Sequence, residues 1–295
     1  MSKKAVLFIL FNRPETTEKV FAAIRAYRPE RLFVAADGPR HDRPDDAAKC
    51  AAARALVQCD WPCEVNTRFL DANAGCRDAV SSAVSRFFEQ VDEGIVLEDD
   101  CLPSPDFFRF AEAALERYRD VPEVMHISGV NFQQRPGGAY FSTIPHIWGW
   151  ASWRRAWQHY DVDMRDYPER RDELKRTLPG TPYLRWVLRR MMEKTFERSP
   201  YFNTWDVQWH YTLAKLNALA LTPGVNLVSN LGGSGTHEVG EELCDRPFGT
   251  LPEQIELPEC TGKADEKADL NTLNAIYAGN WRPKLRYLLE RMLGK

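Results

Sequence analysis

A short apolar run, residues 94–97, ends abruptly in three consecutive acids, Glu98, Asp99 and Asp100. Apolar runs of this length between turn signals are typical of buried strands in parallel sheets, and open α/β sheets bind ligands beyond the carboxyl ends of their strands. Adjacent carboxylates repel one another unless a cation offsets their charge, and their oxygens suit Mg²⁺ or Mn²⁺ shared with substrate phosphates. The alternative is a solvated loop before a helix, because short acidic runs usually face water.

Strand and helix patterns alternate through the first half of the chain. Apolar segments at residues 5–11, 32–36, 64–70 and 95–97 each precede a helical pattern. The last of these helices is predicted to begin with Ser104 as its N-cap and Pro105 in the first turn. This alternation predicts an α/β fold with a mostly parallel sheet flanked by helices.

The second half of the chain has a mixed pattern. Short strands are predicted at residues 124–127, 140–142, 219–221 and 226–228, and helices over 167–198 and 203–216, with an aromatic block at 148–153. From residue 245 onward we expect a tail that wraps the domain and closes with a helix near 284–293. The predicted organisation is one domain, 1–245, with halves 1–128 and 129–245, and a tail, 246–295, packed on it.

Composition excludes several classes of partner. The 295 residues are 44% hydrophobic and carry a net charge of −3, so no global basic field attracts nucleic acid or an anionic membrane. Seven scattered cysteines without a C-x-x-C pair indicate free thiols in a reducing cytosol. No apolar run approaches the roughly 20 residues of a membrane span. We expect a cytoplasmic protein. Basic residues near its C-terminus either contact the inner face of the membrane peripherally or are simply solvated.

Polar residues follow four of the predicted strands, and we expect them to meet at one edge of the sheet. Arg13 and Arg77 either offer paired donors to phosphates or are surface arginines. Asp37 either accepts a hydrogen bond from a base imide N–H or is the turn residue of Asp37-Gly38-Pro39.

Several of these segments resemble nucleotide-sugar glycosyltransferases of the GT-A fold, and more narrowly the N-acetylglucosaminyltransferase I group. The resemblance spans roughly residues 5 to 240. The matching positions, in chain order, are Asn12-Arg13-Pro14, Asp37-Gly38, Glu98-Asp99-Asp100, Pro105-Asp106-Phe107-Phe108, Gly149-Trp150, Trp205-Asp206-Val207-Gln208-Trp209 and the glycine-rich loop 232–237 that ends in His237. The resemblance implies a GT-A (Rossmann-like) sheet. It also implies that the half 1–128 of the domain binds the nucleotide-sugar and that the half 129–245 forms the acceptor side.

The resemblance also implies roles for the donor side of the site. Asp100 would be the direct ligand of Mn²⁺ or Mg²⁺, with His237 approaching the metal or diphosphate from its loop, or remaining a surface histidine. Glu98 and Asp99 would orient the ribose, the metal waters or the donor sugar. The residues expected to hold the nucleotide-sugar are Asn12, Arg13, Asp37, Arg77 and Trp150.

On the acceptor side, Asp206 would be the catalytic base of an inverting transfer. The family has two adjacent acids there, whereas Val207 follows Asp206, so Asp206 is either the base or an N-cap. The tryptophans of the aromatic segments either stack on a sugar or pack in the core; they are Trp148, Trp150, Trp153 and Trp205.

The expected function is metal-dependent transfer of a sugar, plausibly an N-acetylhexosamine, from a UDP-sugar to a glycan, glycolipid or protein acceptor. A sugar nucleotidyltransferase is an alternative, but that class normally carries a glycine-rich loop with Arg and Lys after its first strand. Here the loop reads Asn12-Arg13-Pro14-Glu15. A non-catalytic carbohydrate-binding protein on the same fold is the third hypothesis.

Overall fold

The computed structural model describes residues 4–133, 138–199, 202–232, 244–277 and 287. Strands alternate with helices as far as the fourth strand, and the pattern is mixed after it. The strands are β1 Ala5–Leu10, β2 Arg31–Ala36, β3 Glu64–Phe69, β4 Glu93–Glu98, β5 Cys101–Pro103, β6 Val124–Ser128, β7 Tyr140–Ser142, β8 Trp150–Trp153, β9 Leu219–Thr222 and β10 Val228–Asn230. The helices are α1 Pro14–Tyr27, α2 Asp46–Ala55, α3 Gly75–Gln90, α4 Pro105–Arg117, α5 Arg154–Trp157, α6 Tyr167–Thr177, α7 Pro182–Phe196, α8 Asp206–Leu216 and α9 Glu266–Tyr277.

The central sheet has the strand order β3-β2-β1-β4-β8-β6-β9-β7. The first four strands are parallel, as are β6 and β9, whereas β8 runs antiparallel to both of its neighbours. A second, two-stranded sheet pairs β5 with β10. The predicted mostly parallel α/β sheet flanked by helices is therefore confirmed.

Helices cover both faces of the sheet, because the strands are apolar on both sides. On one face, α1 and α4 pack against alternate residues of β1 such as Val6 and Phe8. On the other face, α3, α5 and α8 pack against the intervening residues such as Leu7 and Ile9. A third cluster joins α6, α7, α8 and α9 beside the sheet. The layering leaves the carboxyl ends of β1, β2 and β4 together at one edge.

Most predicted elements are present, and the exceptions have clear causes. Ser104 caps α4, accepting from the Phe107 N–H at 3.3 Å with Pro105 in the first turn. The predicted helix over 167–198 is two helices, because Pro179-Gly180 interrupts it and Gly180 has a φ of +93°. Strands β5 and β8 were not predicted, nor was α9. The helix predicted near 284–293 lies outside the described residues except for Tyr287, which is helical.

The tail from residue 246 contacts the domain along its described length. Arg109 donates to the carbonyls of Pro252 and Glu253, and Tyr118 donates to the carbonyl of Pro258. Within the described residues, no helix combines the length and apolar character that crossing a bilayer requires.

Helix α9 is held by one buried carboxylate. Asp269 is 1% exposed and accepts from the Ser142 hydroxyl at 2.6 Å, and from the Thr143 N–H at 3.0 Å and hydroxyl at 2.6 Å. Buried donors that lose their acceptor are expensive, so this carboxylate fixes α9 to the end of β7.

Asp269→Ala is expected to lower the free energy of unfolding by about 2 kcal/mol, because three donors lose their acceptor. Urea unfolding measures the change. Glu266→Ala, at an exposed position of the same helix, is the matched control and is expected to cost about 0.5 kcal/mol or less. Equal effects of the two substitutions would contradict the role of Asp269.

Candidate functional site

The carboxyl ends of three adjacent parallel strands bring the predicted polar residues together. Strands β2, β1 and β4 are neighbours in this order, so the residues that follow them share one edge of the sheet. Arg13 follows β1, Asp37 follows β2, and Glu98 is the last residue of β4. This convergence was predicted from the strand pattern alone.

Arg13 binds two of the three acids. Its Nη2 lies 2.7 Å from Asp99 Oδ1, and its Nη1 lies 2.7 Å from Asp100 Oδ2. The Asp99 side chain is 2% exposed and also accepts from the Phe11 N–H at 2.9 Å. Asp100 is more open, at 15%, and its other oxygen has the Cys101 thiol as a weak donor at 3.3 Å. Asp99 is thus fixed in the fold, and Asp100 is the more accessible carboxylate.

The site carries more negative than positive charge. Burial raises the pKa of Glu98, the charges of Asp100 and Asp99 raise it further, and Arg13 opposes them. Burial also raises the pKa of Asp99, again against Arg13. Burial disfavours the charged Arg13 guanidinium, but the neighbouring carboxylates outweigh that effect and its pKa is raised. Three neighbouring carboxyl groups share one guanidinium, so the cluster favours uptake of a proton or of an additional cation.

The chemistry of this site fits a hard divalent cation. Glu98 and Asp100 offer carboxylate oxygens at the open edge, and Mg²⁺ is commonly held by one or two carboxylates with substrate phosphates and waters. Among the residues that the structure describes, no group of three acid, cysteine or histidine side chains is arranged to hold a metal ion. Any remaining ligands would therefore come from water and substrate, or from residues outside the described ranges such as His237.

The backbone beside Asp100 is fixed by the small sheet. The Leu231 N–H donates to the Asp100 carbonyl at 2.7 Å, directly after the pairing of β10 with β5. A Cβ on Gly232 would lie 2.6 Å from Asp100 Oδ2 and 3.3 Å from Arg13 Nη1. A side chain here would clash with this carboxylate oxygen, so only a glycine fits beside it. The structure thus adds Gly232 to the site. From the sequence, only the glycine-rich loop 232–237 as a whole was expected there.

Asp37 supports a loop. Its two oxygens accept from the N–H groups of Gly38, Ala74 and Gly75 and from the Asn73 side chain, at 2.7–3.1 Å. These four bonds match the acceptor capacity of a carboxylate. They hold the turn before α3, where Gly75 has a φ of +81°. The predicted contact with a nucleotide base stays a prediction, and the structure shows a turn-stabilising role beside it.

Asn12 and Arg77 also have protein partners. Asn12 donates at 2.8 Å to Asp46, which Arg40 binds at 2.6 Å. Arg77 binds Asp163 at 2.5 Å and the Val162 carbonyl at 3.2 Å. Arg77 therefore ties α3 to the segment before α6, and its predicted contact with phosphate stays untested.

Trp150 lies in the core. Its side chain is 0% exposed, in β8, and stacks on His126 and Trp205 with ring centroids 5.4 and 5.5 Å apart. A fully buried ring does not contact a ligand at the edge of the sheet in this conformation, so packing accounts for Trp150, and likewise for Trp153 and Trp205, both 2% exposed. Trp148 is the partly exposed member of the predicted set.

Asp206 lies close enough to the acid cluster for its charge to act on Glu98. It is the first residue of α8, and Trp205 occupies the N-cap position, so the N-cap alternative is wrong. The Thr204 hydroxyl donates to Asp206 Oδ1. Burial, followed by neighbouring charges that include Asp206, raises the pKa of Glu98 and of Cys76. Asp206 is thus within electrostatic reach of β4 and of the first turn of α3.

Sequence reasoning missed two side chains near Asp206. Cys76, in the first turn of α3, has a raised pKa because of burial and then the Glu98 and Asp206 charges. The Tyr160 hydroxyl donates to the Trp205 carbonyl at 3.1 Å, and burial and the Asp206 charge raise its pKa. The position of Cys76 within the predicted strand-end segment 73–77 was the available signal, whereas nothing in the sequence indicated Tyr160.

No family model matches this chain, and no curated protein matches its sequence. Several solved structures are similar. They include the mannosyltransferase PcManGT from Pyrobaculum calidifontis in complex with GDP-Man and Mn²⁺, at 14% identity and a TM-score of 0.42 over 74% of this chain and 70% of that one. A UDP-glucose pyrophosphorylase complexed with UDP-glucose has 11% identity and a TM-score of 0.36 over 76% of this chain and 90% of that one. HddC from Yersinia pseudotuberculosis complexed with GMP-PN has 12% identity and a TM-score of 0.32 over 56% and 80%. Likenesses this distant transfer neither a substrate nor a mechanism to this chain.

Asp99→Ala is expected to lower the free energy of unfolding by roughly 2–4 kcal/mol, because it leaves the Phe11 N–H and Arg13 without a buried acceptor. Asp100→Ala is expected to cost less than about 1 kcal/mol, because the more exposed carboxylate also repels its neighbours. Chemical denaturation of both variants measures the difference. A larger loss in Asp100→Ala would reverse the assigned roles.

Proposed function

We propose that this protein is a metal-dependent, inverting glycosyltransferase that transfers a sugar, plausibly an N-acetylhexosamine, from a UDP-sugar to a hydroxyl of a glycan, glycolipid or protein. One observation carries the proposal. Three acids that share one guanidinium lie at the carboxyl end of β4, and a further carboxylate, Asp206 at the start of α8, is within electrostatic reach of Glu98. An acid cluster with a separate carboxylate nearby supports a donor site beside a general base. The choice of UDP and of the sugar rests on the sequence resemblance.

The donor side would hold the diphosphate and the metal. Asp100, the most accessible acid bonded to Arg13, would bind the cation, and Glu98 would orient its waters or the donor sugar. A divalent ion bound there supplies the positive charge that neutralises a departing diphosphate. Arg13 offers planar paired donors to phosphate oxygens. Asp99 holds that guanidinium in place through its bond to Nη2.

The acceptor side would supply the base. Asp206 is partly exposed, and it forms no ion pair with any residue in the described part of the chain. The Thr204 hydroxyl orients one of its oxygens. Its other oxygen would take the proton from the acceptor hydroxyl. The hydroxyl oxygen then bonds to the anomeric carbon, and the bond from that carbon to the diphosphate oxygen breaks on the opposite face, which inverts the configuration.

Asp100→Ala is expected to lose metal-dependent binding of UDP, because the metal loses its direct protein ligand. Calorimetric titration of UDP with Mn²⁺, and again with a chelator, measures this. Asp106→Ala is a matched control, since this aspartate lies in α4 and bonds to Arg109 at 2.7 Å. The proposal fails if UDP binding by the unmodified protein is indifferent to Mn²⁺, or if Asp100→Ala keeps it.

Asp206→Asn is expected to retain donor affinity and to lose about 10²- to 10⁴-fold in the rate of transfer, because a positioned base contributes that much. Release of UDP from UDP-sugars, with a panel of acceptors, measures the rate, and donor binding is measured by calorimetry. Formation of UTP from UDP-sugar and pyrophosphate would instead indicate the nucleotidyltransferase alternative. Normal turnover in Asp206→Asn would place the base elsewhere.

A further inference from the structure

Arg13 has two unequal partners. The carboxylate of Asp99 is 2% exposed and has a second donor, the Phe11 N–H at 2.9 Å. The carboxylate of Asp100 is 15% exposed, and its Oδ2, which binds Arg13 Nη1 at 2.7 Å, lies so close to Gly232 that a Cβ there would be 2.6 Å away. The Arg13–Asp99 bond is therefore the anchored one, and the Arg13–Asp100 bond is the one open to exchange.

A divalent cation and Arg13 Nη1 would compete for the same oxygen. A guanidinium N–H at 2.7 Å already occupies Asp100 Oδ2, and two positive groups repel each other at such separations. Repulsion between a metal bound at Asp100 and the guanidinium would therefore weaken the bond of Nη1, whereas Nη2 keeps its anchored partner Asp99. The guanidinium thus turns about Asp99 and presents free donors beside the metal.

We propose that Arg13 is the counterion of Asp100 in the metal-free protein. When a metal binds to Asp100, the Nη1 of Arg13 moves from Asp100 to the donor diphosphate. This rests on the proposed function for the metal and the diphosphate. It makes Arg13 a positioning residue with two opposite effects. It weakens binding of the metal alone and strengthens binding of the nucleotide once the metal is present.

The test uses Arg13→Gln, which removes the charge and keeps a polar side chain. Without nucleotide, the variant is expected to bind Mn²⁺ about tenfold more tightly than the unmodified protein, measured from the signal of free Mn²⁺ by electron paramagnetic resonance. With saturating Mn²⁺, its affinity for UDP is expected to fall about tenfold or more, measured by calorimetry. A merely structural role would lower both affinities or neither.

Arg40→Gln is the matched control for loss of a nearby positive charge. Arg40 has the same side-chain exposure as Arg13, 34%, and is likewise paired with a buried carboxylate, Asp46. Its ring contact with Phe11, at 5.3 Å, places it at the same end of the sheet. The control is expected to leave Mn²⁺ affinity within about twofold, because Arg40 does not share a metal ligand.

The possible failures are distinguishable. If Asp100→Ala lowers Mn²⁺ affinity but Arg13→Gln does not raise it, the competition is wrong and the metal site stands. If Asp100→Ala leaves Mn²⁺ affinity unchanged, the metal site itself is wrong. Should Arg13→Gln not fold, Arg13→Lys decides the matter. A single ammonium does not bridge both carboxylates as the guanidinium does, so an Mn²⁺ affinity above that of the unmodified protein is expected, and an equal or lower one overturns the proposal.

Discussion

One guanidinium joins the ends of the two strands on which the site depends. Arg13 follows β1, and its bonds to Asp99 and Asp100 connect it to residues 86 and 87 positions away along the chain. The Phe11 N–H adds a backbone link to Asp99. Without a cation at this position, buried carboxylates at a strand end would repel one another and resist desolvation. The bonds of Arg13 to Asp99 and Asp100 therefore hold the ends of β1 and β4 together, and they also reduce the negative charge that a ligand encounters there.

The strand and helix alternation in the first half was predictable because each strand is a short apolar run with a turn signal after it. The insertion of β8 was not. Its residues, Trp150-Ala151-Ser152-Trp153, are buried on both faces of the sheet, so they show no alternation of apolar and polar side chains. The sequence therefore showed a block of aromatic residues there but no strand pattern. Helix α9 was missed because the prolines and turn residues upstream made the whole tail read as extended. Strand β5 has three residues, too few for a periodic signal.

For the site, the sequence predicted which residues follow the parallel strands but not what each one binds. Asp37 and Arg77 reached the expected edge, yet their side chains are bonded to the 73–75 turn and to Asp163. Hydrogen-bond partners distant in the chain follow from tertiary packing, which local spacing does not encode. Asp206 illustrates the same limit, because whether an acid caps a helix or starts it depends on one backbone conformation at Trp205. Position at a strand end was predictable, whereas the direction of each side chain was not.

The antiparallel strand in the middle of the sheet has a consequence for how the chain folds as it is synthesised. The strands β1 to β4 are complete once residue 98 has emerged, but the outer edge of β4 has no partner until Trp150–Trp153 arrives. That delay is about 50 residues, or on the order of several seconds at typical rates of synthesis. Throughout it, an apolar strand edge beside the acids is open to mispairing.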